Sequence, residues 1–282
     1  MRALASLALW FAVLAAPAQA KGAALASHDL IFVQAQAGGH AGAFLVDTGA
    51  PVTVLDAAFA AQAGLRLGAD QVLQGGGGAR AGRIAEDVVL TAAGGPALRL
   101  DPAVADLSEV ARGLGRPVAG ILGGDYFAVQ VVSLDYRTGE ARFADPREFA
   151  PPPGAAPLII HSTPYVHAVA EVGGRRAEGL FQIDSGSNLA AAFFTPYARR
   201  HFPGVRGAPG RSLGVAGPAR SRLAVMDRLE LAGRRLEGLV ADLANDTHPD
   251  DASPGYAGAI GGGAFAGRVL HLDYSRQRMW LD

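Results

Sequence analysis

Apolar residues come in short runs of strand length, separated by glycines, prolines and acidic turns. Leu30–Ala37 reads as a first strand, Gly38-Gly39 as a hairpin turn and Ala43–Val46 as the returning strand. Val52–Leu55 is strand-like again. Asp56 then suits the N-cap of a short helix through Ala63, stopped by Gly64. Gln71-Val72-Leu73 and a strand over Arg83–Leu90 flank the run Gly75-Gly76-Gly77-Gly78. Val88–Leu90 and Ala97–Leu100 form a hairpin across Gly94-Gly95, and Asp106–Gly113 reads as a short helix. The strand-like Ala119–Leu122 and Val131–Leu134 follow, each ending in Gly or Asp.

Residues 146–157 carry five prolines in a row of thirteen from Asp145, and predict an extended linker. After it the order repeats. Tyr165–Val172 matches the first strand, Gly173-Gly174 the first turn, and Leu180–Ile183 the returning strand. Thr195-Pro196 opens a helix, with Thr195 as N-cap. Gly214-Val215-Ala216-Gly217 stands where the glycine run stood. Met226–Leu231 and Arg235–Val240 form a hairpin around Gly233. Asp47 and Asp184 are 137 residues apart, and Asp135 and Asp273 are 138 apart. A repeat of domain size that keeps its register implies two similar units, residues 21–145 and 158–282, rather than a solenoid.

Composition narrows the function. The formal net charge is -1 and there are no basic runs, so nothing points to nucleic acid. The absence of cysteine excludes disulfides, thiol catalysis and thiolate metal sites. The histidines show no His-Glu-x-x-His spacing, and His248 sits in a polar loop, so neither a metal nor another cofactor is implied. Residues 1–20 read as a secretory signal: Arg2, an apolar run over Ala3–Ala16, and the small-x-small site Ala18-Gln19-Ala20. That run is too short for an ordinary membrane span, which needs roughly 20 apolar residues. The mature chain is expected to start near Lys21, to be periplasmic or secreted, and to keep no membrane span.

The chemistry gathers in one stretch that occurs twice. Phe44-Leu45-Val46-Asp47-Thr48-Gly49-Ala50 and Phe181-Gln182-Ile183-Asp184-Ser185-Gly186-Ser187 each run from a strand into Asp, a hydroxyl residue and Gly. Each is followed, 76 or 77 residues after its Asp, by the glycine of an apolar-apolar-Gly segment, Ile121-Leu122-Gly123 or Ala259-Ile260-Gly261. Two buried carboxyls facing each other can share one proton, because like charges at close range resist joint ionisation.

On these motifs the chain resembles the aspartic proteases of the retropepsin and pepsin type, in a single-chain form with tandem lobes. The resemblance implies an all-β fold of two pseudo-symmetric acid-protease barrels with short helices and a cleft between them. It implies Asp47 and Asp184 as the catalytic pair, with Thr48, Gly49, Ser185, Gly186 and Ser187 supporting them. It implies substrate-covering flaps at Gly75, Gly76, Gly77 and Gly78 and at Gly214 and Gly217. The implied activity is endopeptidase cleavage of a peptide or protein substrate, by a monomer that needs no second copy. Ser187 has a hydroxyl to donate to Asp184 and Ala50 has none for Asp47, so Asp184 is expected to be the more acidic of the two. Two alternatives stand beside this reading. A non-catalytic retropepsin-like protein would bind peptide or another ligand without cutting it. A serine hydrolase would use Ser185, although Gln182-Ile183-Asp184 lacks the Gly-x-Ser-x-Gly elbow.

Overall fold

The computed structural model describes residues 30–75, 78–214, 217–245 and 255–282. The expected signal, Gly76, Gly77 and the loop around His248 lie outside the described residues. Alternating polarity sets the strands: along Pro164–Val172, every second residue from Pro164 is buried.

The first half runs β1 (Phe32–Ala37), β2 (His40–Val46), β3 (Val54–Asp56), α1 (Ala57–Gln62), β4 (Leu67–Gly75), β5 (Gly78–Ala85), β6 (Val88–Ala92), β7 (Ala97–Leu100), β8 (Ala103–Ala105), α2 (Ser108–Leu114), β9 (Gly120–Leu122), α3 (Gly124–Phe127), β10 (Val131–Asp135) and β11 (Glu140–Ala144). Short β12 (Ala156–Pro157) and β13 (Ile159–Ile160) lead into the second half. There follow β14 (Pro164–Val172), β15 (Arg175–Asp184), β16 (Ala191–Phe194), α4 (Thr195–His201), β17 (Ala208–Gly214), β18 (Gly217–Leu231), β19 (Arg234–Asn245), β20 (Tyr256–Gly261), a 3-10 turn over Gly262–Phe265, β21 (Val269–Asp273) and β22 (Arg278–Leu281).

In the second half, eight strands lie in the order β13-β14-β15-β20-β16-β19-β18-β17, and β14 also pairs with β18. That pairing closes a barrel. The first-half sheet has nine strands, β4-β5-β8-β3-β9-β2-β1-β6-β7, with no closing pair among the described residues. The expectation of two like barrels is therefore met in the second half only. Both sheets nonetheless share a central weave. β2 runs parallel to β9 and β15 parallel to β20, while β3 and β16 run antiparallel to β9 and β20.

A third sheet, β11-β10-β21-β22-β12, takes strands from both halves. Val131 faces Asp273, Asp135 faces Val269, and Ser133 faces His271 at the centre. The Ser133 hydroxyl lies 2.7 Å from His271 Nδ1. The largest buried cluster runs through both halves, and includes Phe44, Phe127, Phe181 and Phe265. Burying such a ring contributes about 1.5–3 kcal/mol.

Local chemistry explains where elements start and stop. Gly38 and Gly39 have φ of 58° and 84°, and Gly173 and Gly174 have 59° and 70°, the left-handed turn that suits twisted hairpins. Asp56 Oδ2 accepts from Ala58 N at 3.0 Å and Phe59 N at 3.1 Å, which caps α1. Its Oδ1 accepts from Leu107 N at 3.0 Å, just ahead of α2.

Several expectations are corrected. Arg83–Leu90 is not one strand: it breaks after Ala85, and Asp87 takes a φ of 61° with its N–H on Asp101 Oδ1. Thr195 is the first residue of α4 rather than its cap, because the chain leaves extended geometry at Phe194. The proline-rich stretch is not a free spacer. Asp145 O accepts from Glu148 N and Phe149 N in a turn, and Ala156–Pro157 joins the edge of the third sheet against β22. Proline is tolerated there because an edge strand has one side without ladder bonds. Among the described residues, no helix is long and apolar enough to cross a membrane.

Asp56→Ala removes the cap of α1 and the acceptor for Leu107 N together. Chemical denaturation should show a loss of about 1–3 kcal/mol, more than an isolated cap usually costs.

Candidate active site

The parallel pairs deliver the two Asp turns to the same place. Phe44, Leu45 and Val46 are wholly buried between β1 and β9, and the Asp47 N–H donates to Leu122 O at 3.0 Å as the strand ends. In the second half, Ile183 pairs with Ile260 and Asp184 with Gly261. The segment after each glycine then turns back on the Asp loop: Gly124 N donates to Ala50 O and Gly262 N to Ser187 O, at 2.8 and 2.7 Å.

Thr48 and Ser185 join the loops. The Thr48 N–H donates to Ser185 Oγ and the Ser185 N–H to Thr48 Oγ1, both at 3.0 Å. The Thr48 hydroxyl donates to Ile183 O at 2.7 Å and the Ser185 hydroxyl to Val46 O at 2.8 Å. Four bonds thus cross between halves with every donor and acceptor satisfied. The Ser185 hydroxyl is 1% exposed and fully engaged, which removes it as a free nucleophile.

Asp47 and Asp184 are both 0% exposed. Gly49 N donates to Asp47 Oδ1 at 2.8 Å, and Gly186 N to Asp184 Oδ1 at 3.0 Å. Glycine is required twice. A Cβ on Gly49 would lie 2.6 Å from Asp184 Oδ1, and one on Gly186 would lie 2.5 Å from Asp47 Cγ. Each carboxyl therefore rests against the backbone of the opposite loop, and neither Oδ2 has a hydrogen-bond partner among the described residues. Burial raises the Asp47 carboxyl from 3.8 to about 7, against the opposing pull of the Gly49 N–H. Burial and then the Asp47 charge push Asp184 well above the usual carboxylate range. The pair holds a proton where isolated carboxylates have lost theirs.

Ser187 does not act as expected. Its Oγ accepts from Leu189 N at 3.3 Å, while Asp184 Oδ2 has no partner among the described residues. Gly75 pairs with Gly78 at the end of the β4–β5 hairpin, and Gly214 with Gly217 at the end of β17–β18. Both hairpins lie at sheet edges, and α2 of the first half lies beside β17 of the second.

Residues 33–126 match the family described as aspartyl protease. An aspartic protease domain is present over that part of the chain, which includes Asp47, Thr48 and Gly49 but ends before the second motif. No curated protein matches the chain.

Three features of this site escaped the sequence reading. Asp125 Oδ1 accepts from Thr53 N at 2.8 Å, Thr53 Oγ1 at 2.7 Å and Tyr126 N at 2.8 Å. Thr53 Oγ1 in turn accepts from Gly123 N, so Asp125 braces the turn that holds the Asp47 loop. Its second-half counterpart is Gly263, where a Cβ would lie 2.7 Å from Asn188 O. Gln182, buried, donates from Nε2 to Gly49 O at 3.2 Å and Thr163 Oγ1 at 2.8 Å. A lone amide inside an apolar strand was its visible signal. The third feature is a pair of tyrosines whose hydroxyls are buried, Tyr136 and Tyr274. Among the described residues, no group of three or more His, Asp or Glu side chains is placed to hold a metal.

Thr48→Val keeps the shape but orphans the Ser185 N–H and the Ile183 carbonyl. It should cost about 1–3 kcal/mol for the N–H alone, with Thr48→Ser close to wild type in thermal denaturation. A carboxyl raised from 3.8 to about 7 binds its proton more tightly when folded. Its contribution is therefore fully present below the unfolded value and is lost as pH rises through the folded one. Melting temperatures of wild type, compared with Asp47→Asn, should fall between about pH 4 and pH 7.

Proposed function

We propose that the chain is an aspartic endopeptidase whose active centre is the Asp47–Asp184 pair. The reciprocal Thr48–Ser185 bonding carries this reading, because it fixes two wholly buried carboxyls against each other's glycines. Neither the burial nor the double glycine contact is needed for folding alone, since ionising such a pair opposes stability.

In this reading one carboxyl is ionised and the other holds the shared proton. The ionised carboxyl takes a proton from a water molecule as the water oxygen attacks the peptide carbonyl carbon. The protonated partner donates to the developing oxyanion. As the tetrahedral intermediate collapses, the C–N bond breaks and a carboxyl proton passes to the departing nitrogen. The other carboxyl recovers its proton from a hydroxyl of the intermediate, so the products are a free acid and a free amine and the pair is restored. Thr48 and Ser185 hold the geometry, and Gly49 and Gly186 admit the opposite carboxyl. The hairpins ending at Gly75–Gly78 and Gly214–Gly217 close over an extended peptide, with glycines permitting the motion.

The same reading makes the chain a tandem duplication: residues 21–145 and 158–282 as two lobes, joined by the 146–157 segment. The shared parallel weave and the antiparallel meeting of β10 with β21 support it. It also takes residues 1–20 as an export signal, which would put activity in the periplasm or outside the cell, in a monomer.

The test is cleavage of a diverse peptide mixture by the chain from Lys21 onward, between about pH 3 and 8, a span that covers carboxyl titration. Wild type should cleave, and Asp47→Asn and Asp184→Asn should each lose at least about 100-fold, the scale expected for removing an acid–base group. Activity that survives either substitution would place the chemistry elsewhere. No cleavage at any pH, with retained peptide affinity, would leave a binding protein.

A further inference from the structure

Tyr136 directly follows β10 and Tyr274 directly follows β21, the two strands that meet at the centre of the third sheet. Each ring crosses to the opposite half. Tyr136 packs on Phe265 with centroids 5.6 Å apart, and Tyr274 on Phe127 at 5.9 Å. Those phenylalanines end the short turns that begin beside the two Asp loops. Both hydroxyls are buried and have no hydrogen-bond partner among the described residues.

The Tyr136 hydroxyl stands next to the Asp184 loop. A Cβ on Gly262 would lie 2.8 Å from Tyr136 Cε1, and 3.4 Å from both the Tyr136 hydroxyl oxygen and Ser187 O. Burial raises both phenols, and carboxylate charge raises them further: Asp184 and Asp47 act on Tyr136, and Asp47 on Tyr274. The other ionisable groups near these rings are engaged elsewhere. Asp125 is turned to Thr53, and the Tyr126 hydroxyl donates to Pro96 O. Asp135 is bonded to Arg137, Asp273 to Ser275 and Arg276, and Arg268 reaches Asp282 O.

Packing does not account for these hydroxyls. Phenylalanine would fill the same space, and a buried hydroxyl without a partner costs about 1–3 kcal/mol. Yet the feature occurs twice, at equivalent places in the two Leu-Asp-Tyr segments.

We propose that Tyr136 and Tyr274 are positioning residues that set the protonation of the Asp47–Asp184 pair, with their O–H dipoles favouring its singly ionised form through the dry interior. The inference rests on the reading of that pair as the active centre. The two hydroxyls would keep one carboxyl ionised in acidic conditions, when the pair would otherwise bind two protons.

The experiment uses protein labelled with 13C at the Asp carboxyl carbons. The Asp47 and Asp184 signals are assigned from Asp47→Asn and Asp184→Asn, and are then titrated in wild type, Tyr136→Phe, Tyr274→Phe and the double variant. The first ionisation of the pair should move up by about half a pH unit or more in each single variant, and further in the double one. Melting temperature should hold or rise, since the ring stays and an unpaired hydroxyl is gone. The acid limb of peptide cleavage should shift with the titration. An unmoved titration in folded variants overturns the inference, and if the double variant does not fold, the single variants carry the same readout. A shifted titration in a protein that cleaves nothing keeps the inference and removes the protease reading. Cleavage that depends on both Asp residues, with an unmoved titration, does the reverse.

Discussion

Two carboxyl groups without solvent contact lie against each other's backbone, and most of the structure serves to hold them there. Desolvation disfavours the charge on each, and mutual repulsion disfavours the second charge further. Such a pair stays together only when the surrounding bonds leave it no alternative. Thr48 and Ser185 provide that restraint through four buried bonds, each spanning the two halves. The glycines beside them remove the Cβ atoms that would drive the carboxyls apart.

The support continues outward by layers. Parallel strands β9 and β20 receive the ends of the Asp-bearing strands, and the glycines that follow them let backbone meet backbone. Below, β10 and β21 pair antiparallel across the halves, and Tyr136 and Tyr274 carry contact from each half to the other. The halves are therefore not independent bodies with a gap between them. A change in the third sheet would be felt at the carboxyls, because packed interiors transmit strain.

The two halves are not copies in detail. Asp125 and Thr53 brace the first Asp loop with charge-assisted bonds, while Gly263 fills the matching position in the second by close backbone contact. Gln182 reaches Gly49 from the second half, whereas the matching first-half position is the buried Leu45. Among the described residues, only the second-half sheet closes into a barrel. These differences give the two carboxyls unlike surroundings, which two identical subunits could not do.

Much of this was legible along the chain. Alternating polarity located the hairpins, paired glycines marked their turns, and the Asp-hydroxyl-Gly stretch was visible at both Asp47 and Asp184. The hairpins and turns are local features, and local conformational preference decides them. The strand break at Asp87 and the pairing of Ala156–Pro157 were not legible, since each depends on a partner far away in sequence. The same holds for Ser187. Its hydroxyl type was visible, but its direction was decided by the turn to Leu189. The residue types of the site, and the recurrence of the Asp-hydroxyl-Gly stretch, belong to the sequence alone. Their burial, the crossing of Thr48 with Ser185, and the tyrosines beneath were decided by tertiary structure, because desolvation and hydrogen-bond pairing exist only once distant strands have met.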